Sequence, residues 1–142
     1  MKSNHSQLIV IGSGPGGYTA AFRAADLGLN VTLIDKSDSL GGVCLNQGCI
    51  PSKSLLHVSN IINSAENSKN LGVEFSKPNI NINKIQNWKN SIISNLGIGI
   101  KKLAQARKIN IITGEAKFQS ANEIIINDSQ NKNIIITFDY CI

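Results

Sequence analysis

The sequence predicts an α/β fold in which a parallel sheet with helices is joined to a small antiparallel β element. Two short apolar runs, at residues 7–12 and 30–35, flank a helical pattern. Strand, helix and strand within about 30 residues form the βαβ unit of a parallel sheet. From Asn110 onwards the helical period gives way to runs of β-branched residues. The 142 residues correspond to one domain by length.

The parallel part begins with a strand at residues 7–12, QLIVIG, whose unbroken apolar character is typical of a strand buried on both faces. Residues 16–28 follow as a helix, and Gly28 ends it. Residues 30–35, NVTLID, are a second buried strand. One face of the helix is predicted to carry the apolar side chains, namely Tyr18, Ala21, Phe22 and Ala25.

Two longer helices and three strands complete the prediction. Apolar residues recur at helical spacing over residues 49–67 and 82–104, with a polar loop between the two helices. The runs NIIT, EIIIN and NIIITFDYCI predict strands at 110–113, 123–127 and 133–142, with a turn at 128–133 before the last. We therefore expect the antiparallel element to start at about residue 109.

Charge and hydropathy exclude several function classes. The net charge is +5, but the basic residues are scattered and aromatic residues make up only 5%, so a nucleic-acid interface is not expected. The N-terminus lacks the pattern of a signal peptide, and no apolar run approaches the length of a membrane span. These features predict a cytoplasmic protein that binds neither nucleic acid nor membranes.

A glycine-rich turn follows the first strand. The turn reads Gly12-Ser13-Gly14-Pro15-Gly16-Gly17. In this motif Gly12 allows a tight turn, Gly14 allows the backbone to approach a pyrophosphate closely, and Gly17 allows the helix to pack closely on the strand. Asp35 lies 18 residues after Gly17, at the end of the second strand, where a carboxylate can accept both hydroxyls of an adenosine ribose. The combination predicts a dinucleotide site of the Rossmann type but does not distinguish NAD from FAD.

Cys44 and Cys49 lie five residues apart in the stretch CLNQGCIPSK. A structural zinc site needs four ligands, and His5, His57 and Cys141 offer no second pair at suitable spacing. A structural disulfide would close only a small loop and is uncommon in the cytosol. No metal is therefore predicted, and a redox pair is the preferred interpretation.

Helix geometry restricts how this pair can bridge. Residues five apart on an ideal helix are separated by about 7.5 Å of rise, whereas the Cα atoms of a disulfide lie within about 7 Å. We expect Gly48 to distort the helix start through flexibility and Pro51 to break its hydrogen-bond ladder. The prediction is a strained, reducible disulfide at a helix N-terminus. Lys53 adds a cation one turn further on, and burial beside a cofactor is preferred for it over a position as a surface lysine.

The two motifs together resemble those of the flavin-dependent pyridine nucleotide–disulfide oxidoreductases. The motif CLNxGCIPSK is more similar to the corresponding motif of the family members that oxidise dihydrolipoamide than to that of the glutathione or mercuric reductases. The similarity continues through FRAADLGL, SLLHVS and GEAKF, so that it covers the whole chain. This resemblance implies a Rossmann-type FAD-binding domain.

The resemblance also implies the residues of the cofactor site. Asp35 stands where relatives often have glutamate, and Val43 where they often have threonine. Lys53 would lie near the flavin ring, and the backbone of Ala116 would contact the adenine. The implied FAD contacts are Gly12, Gly14, Gly17, Asp35, Lys36, Leu40, Gly41, Gly42, Val43, Cys44, Lys53 and Ala116.

Catalysis, by the same resemblance, belongs to Cys44 and Cys49. Cys44 would exchange with the dihydrolipoyl dithiol, and Cys49 would pass electrons to FAD for the reduction of NAD⁺. The implied partners are the lipoyl domains of 2-oxoacid dehydrogenase complexes and a second subunit of a homodimer. We expect residues 1–142 to be the N-terminal part of the FAD-binding domain, without the NAD and dimer-interface domains and incomplete as an enzyme. The alternatives are a non-enzymatic FAD-binding fragment and a related disulfide reductase.

Overall fold

The computed structural model describes residues 5–128 and 132–142, which form one six-stranded mixed sheet with helices. The strand order is β3-β2-β1-β6-β5-β4, with a parallel part and an antiparallel part. This arrangement confirms the predicted fold class. In chain order the elements are β1 (His5–Ile11), α1 (Pro15–Asp26), β2 (Val31–Asp35), α2 (Gly42–Asn46), α3 (Cys49–Asn67), a 3₁₀ turn (Ser68–Leu71), α4 (Ile82–Ala106), β3 (Asn110–Thr113), β4 (Glu115–Ser120), β5 (Glu123–Asn127) and β6 (Asn133–Cys141).

The parallel part has β1 at its centre, with β2 on one side and β6 on the other, and β3 beyond β2. Its strands are buried on both faces, which explains their unbroken apolar sequences. One face packs against α1 and α4, because alternate residues of each strand point to it. The buried residues of this layer are Leu8, Val10, Ala21, Ala24, Val31, Leu33, Leu40, Ala104 and Ile109.

The antiparallel part covers the other face of the same sheet. Strand β6 pairs with β5 up to Thr137 and from Thr137 onwards with β1, so that it belongs to both parts. Only Gly114 separates β3 from β4, although these strands form the two opposite edges of the sheet. The sheet must therefore curl until its edges meet at Gly114. The second layer of the core lies inside this curl and consists of Ile9, Ile34, Ile124, Ile126, Ile136 and Phe138.

The sequence placed most elements within two residues of their observed ends but erred in two respects. Strand β3 pairs in parallel with β2, so the antiparallel element starts at Glu115 and not at about residue 109. Helix α2 and strand β4 were not predicted, because α2 has only five residues and β4 is mostly polar. The predicted turn at 128–133 lies partly outside the described residues.

The apolar stripe of α4 contributes less to the core than its periodicity suggested. Ala104 is fully buried and Ile100 packs against the core, whereas Trp88 and Leu96 are exposed. Burial is therefore concentrated at the C-terminal end of α4, where the helix contacts α1. Within residues 5–128 and 132–142, no helix combines the length and the apolarity needed to cross a bilayer.

Candidate functional site

The glycine-rich turn connects β1 to α1 beneath the carboxyl end of β2. The Gly12 amide donates to the carbonyl of Ile34 over 2.7 Å, and its φ of 97° is accessible mainly to glycine. A Cβ at Gly17 would lie 1.8 Å from the carbonyl oxygen of Gly12. Only glycine allows the helix to approach the strand this closely, as the motif predicted.

The first turn of α1 presents unpaired amides beside Gly14. Gly14 is the N-cap and Pro15 begins the helix, so the first intrahelical bond runs from the amide of Tyr18 to the carbonyl of Gly14. The intervening amides of Gly16 and Gly17 belong to the group that a helix cannot satisfy internally. A Cβ at Gly14 would meet no atom within 4 Å, so space is open beside the backbone of this glycine. An anionic pyrophosphate fits this position.

Asp35 ends β2 directly beside this turn. Its Oδ2 accepts two hydrogen bonds from Ser13, one from the amide and one from the hydroxyl, each 2.6 Å long. Its Oδ1 accepts a third bond from the amide of Ser37 over 2.9 Å. Partial burial alone would raise the pKa of Asp35, but these hydrogen bonds outweigh it and lower the pKa below its usual value. The carboxylate is therefore ionised at neutral pH.

A pocket of about 260 Å³ opens at this edge of the sheet. It brings together four predicted cofactor residues from separate parts of the chain, namely Gly12, Asp35, Lys36 and Ala116. A larger pocket of about 440 Å³ lies between residues 38–40 and α4, but it contains neither the motif glycines nor the cysteines. We therefore place the nucleotide end of the site in the smaller pocket.

The segment before α2 packs against the glycine turn. The Gly41 amide donates to the carbonyl of Ser13 over 2.9 Å, and Leu40 anchors the segment in the core. A Cβ at Gly42 would lie 2.7 Å from the Cα of Gly14. Asn46 stabilises the segment from within α2, since its side-chain amide donates to the carbonyls of Leu40 and Gly42. Predicted site residues from two motifs thus lie in direct contact.

The two cysteines lie on separate helices, with Cys44 in α2 and Cys49 as the first residue of α3. The chain turns between them because the carbonyl of Val43 accepts from the amides of both Gln47 and Gly48. Gly48 is the N-cap of α3, as its predicted role at a distorted helix start requires. The prediction for Pro51 was wrong. Pro51 lies in the first turn of α3, where its missing amide removes no intrahelical bond.

All three cysteines are free thiols in this structure. The neighbouring Cys49 thiol, followed by loss of hydration, raises the pKa of Cys44, whereas the Cys49 amide and the positive charge of Lys53 act in the opposite direction. Lys53 is exposed. Its expected burial was against the cofactor, and that burial stays a prediction. Cys49 is more exposed than Cys44, so the expected role of Cys44 as the exchanging sulfur rests on the resemblance alone. Burial raises the pKa of Cys141, at the end of β6.

Comparison with known proteins now decides the family. The profile of the pyridine nucleotide-disulphide oxidoreductases matches residues 6–142. The chain belongs to this family. It is 48% identical over 141 residues to a dihydrolipoyl dehydrogenase from Buchnera aphidicola subsp. Acyrthosiphon pisum. This alignment covers 99% of this chain and 30% of that protein. It is 43% identical to the dihydrolipoyl dehydrogenase of Vibrio cholerae, again over 99% of this chain and 30% of that protein.

A dihydrolipoyl dehydrogenase from Staphylococcus aureus is 47% identical over an alignment of 137 residues, gaps included, that covers 92% of this chain and 29% of that protein. The chain thus spans less than a third of the length of these curated relatives. Pyridine nucleotide-disulphide oxidoreductases are FAD-dependent, so the prediction of FAD as the cofactor is confirmed. The open space at Gly14, the unpaired amides of α1 and the pocket at Asp35 fit a dinucleotide.

Ser13, in the glycine-rich turn of the dinucleotide site, is a residue that the sequence analysis missed. Ser13 is fully buried and touches both Asp35 and Gly41. Its position as the polar residue inside the glycine motif was the available signal. Val43 is 70% exposed. Among the described residues, no cluster of three or more histidine, cysteine or acidic side chains could hold a metal ion.

Proposed function

We propose that this chain supplies the FAD-binding and disulfide-bearing part of an enzyme that oxidises dihydrolipoamide and reduces NAD⁺. One observation carries the proposal: the cysteine-bearing helix α2 packs directly on the dinucleotide turn, with Gly42 against Gly14. A redox pair next to an FAD site is the arrangement that electron transfer from a dithiol requires. The identity of 39–49% to dihydrolipoyl dehydrogenases supports this substrate over other disulfides.

The disulfide chemistry uses the two cysteines in sequence. In the oxidised form, a dihydrolipoyl thiolate attacks Sγ of Cys44, and the Cys44–Cys49 bond breaks with Cys49 leaving as a thiolate. The second lipoyl thiolate then attacks the lipoyl sulfur of the mixed disulfide, which closes the lipoyl disulfide and releases Cys44. Two electrons thereby move from the substrate to the cysteine pair.

The remaining residues bind the cofactor and stabilise charge. Bound FAD would supply the two-electron redox chemistry that links the cysteine pair to NAD⁺. The amides of Gly16 and Gly17 would hold its pyrophosphate, and Asp35 would accept a hydrogen bond from its ribose. Lys53 would favour the thiolate of Cys44, because its positive charge opposes the net rise in the pKa of that thiol. We further propose a cytoplasmic homodimer that receives its substrate from lipoyl domains of 2-oxoacid dehydrogenase complexes.

The test uses the purified chain and two separate measurements. Flavin fluorescence during titration with FAD measures cofactor binding. Mass spectrometry after alkylation measures how many thiols dihydrolipoamide exposes in the mildly oxidised chain. We expect saturable FAD binding and a Cys44–Cys49 disulfide that dihydrolipoamide opens into two alkylated cysteines.

Matched variants make the result specific. The Cys49→Ser variant should form no such disulfide, whereas Cys141→Ser should behave like the unmodified chain. A chain that binds no FAD, or whose Cys44–Cys49 disulfide resists dihydrolipoamide but opens with a monothiol, would contradict the proposed function.

A further inference from the structure

The carboxylate of Asp35 is more heavily engaged than its sequence position suggested. Ser13 donates two hydrogen bonds to Oδ2, and Ser37 donates one to Oδ1. Each carboxylate oxygen accepts about two hydrogen bonds. Ser13 therefore uses the full capacity of Oδ2, and Oδ1 keeps room for one further donor.

Ser13 cannot easily release this oxygen. Its side chain is completely buried, so a hydroxyl that turned away from Asp35 would lose its partner without gaining water. Its backbone is fixed as well, because its carbonyl accepts from the Gly41 amide and its neighbour Gly14 packs against Gly42. The bond between Ser13 and Oδ2 is thus part of the framework of the site.

We propose that Ser13 is a specificity-determining residue that restricts Asp35 to a single ribose hydroxyl of the cofactor. The sequence analysis expected Asp35 to accept both hydroxyls of the adenosine ribose, whereas the geometry leaves only Oδ1 for one of them. This inference rests on the proposed function, since it concerns FAD bound at this site. Beyond the proposed function, the inference states that Asp35 does not bind one of the two hydroxyls of the adenosine ribose.

The experiment measures dissociation constants by flavin fluorescence for FAD and for two analogues, one lacking the 2′-hydroxyl and one lacking the 3′-hydroxyl of the adenosine. For the unmodified chain we expect one analogue to bind about ten- to hundredfold more weakly than FAD, which is the loss of one hydrogen bond to a charged group. The other analogue should bind like FAD. In Ser13→Ala, the backbone amide still donates to Oδ2 but the hydroxyl is gone, so Oδ2 can accept the second ribose hydroxyl and both analogues should bind more weakly than FAD.

Ser59→Ala, an exposed change on α3, is the matched control and should reproduce the unmodified pattern. Equal weakening by both analogues in the unmodified chain would overturn the inference, and this comparison stands even if Ser13→Ala does not fold. A Ser13→Ala variant that folds and still binds only one of the two analogues more weakly than FAD would also overturn it. Failure of the unmodified chain to bind FAD at all would instead refute the proposed function.

Discussion

At the scale of single residues, the site depends on a few positions whose chemistry cannot be exchanged. Gly17 is required because any side chain would collide with the carbonyl of Gly12. Asp35 keeps its negative charge through hydrogen bonds and not through exposure. Cys44 depends on its neighbours, since the thiol of Cys49 and the charge of Lys53 move its pKa in opposite directions.

The reactivity of Cys44 gives the first prediction. The Cys49 thiol is the largest cause of the raised pKa of Cys44, so Cys49→Ala should lower that pKa. Below the pKa, alkylation by iodoacetamide is limited by the thiolate fraction, so Cys44 should react faster in the variant at neutral pH. Alkylation rates across a pH series, followed by peptide mass spectrometry in a Cys141→Ser background, measure this shift.

Lys53→Gln provides the opposite control. It removes a charge that favours the thiolate, so the pH profile of Cys44 alkylation should move to higher pH. If Cys49→Ala leaves this profile in place, the thiol pair does not set the reactivity of Cys44.

At the scale of elements, short capping and packing contacts determine where the helices begin. Helix α1 begins with Pro15 and has no side-chain cap, which leaves its amides for an anion. Helix α3 begins at Cys49, directly after its N-cap Gly48. Helix α4 differs, because Oδ1 of Asn81 accepts from the amide of Lys84 over 3.0 Å and satisfies one of its first-turn donors.

This cap gives the second prediction. Asn81→Ala should lower the free energy of unfolding by about 1 kcal/mol, because the Lys84 amide loses its acceptor. Urea unfolding followed by circular dichroism measures the loss. Asn87→Ala, an exposed change in the second turn of the same helix, should be neutral or slightly stabilising because alanine is the better helix former. Equal losses in both variants would show that Asn81 does not act as a cap.

At the scale of the whole molecule, one curled sheet assembles the nucleotide end of the site. The glycine turn follows β1, Asp35 ends β2 and Ala116 lies near the start of β4, and the sheet brings these distant points of the chain together. Its centre also contains buried polar groups. The hydroxyl of Ser6 on β1 lies 2.6 Å from that of Thr32 on β2, and the side-chain amide of Asn110 on β3 donates to Thr32.

This hydroxyl pair gives the third prediction. Thr32→Val keeps the shape of the side chain but leaves the buried Ser6 hydroxyl without its Thr32 partner. We expect a loss of about 1–3 kcal/mol in the free energy of unfolding, measured by urea denaturation. The double variant Ser6→Ala/Thr32→Val should recover much of this loss, because no orphaned hydroxyl then remains on β1. Losses that simply add would exclude a coupled pair.

Local patterns made much of this fold predictable. The βαβ unit was recognisable because unbroken apolar runs and helical spacing are properties of neighbouring residues. The boundaries of α3 were predicted at 49–67, since its apolar spacing and Gly48 are both local signals. Helix α2 was not predicted, because five residues make about one and a half helical turns and show no measurable period. The parallel pairing of β3 with β2 was not predicted, because the direction of a strand depends on the path of the whole chain.

The sequence by itself determined which chemical groups this protein has and in what order they come: the glycine turn, an acidic residue after the second strand, and a cysteine pair at a helix start. These depend on residue type and on spacing along the chain. Tertiary structure decided how much of each group is left for a ligand. Long-range contacts saturate Oδ2 of Asp35 with Ser13, press Gly42 against Gly14 and leave Lys53 exposed. Hydrogen-bonding capacity and burial are properties of neighbours in space, and the folded chain alone supplies those neighbours.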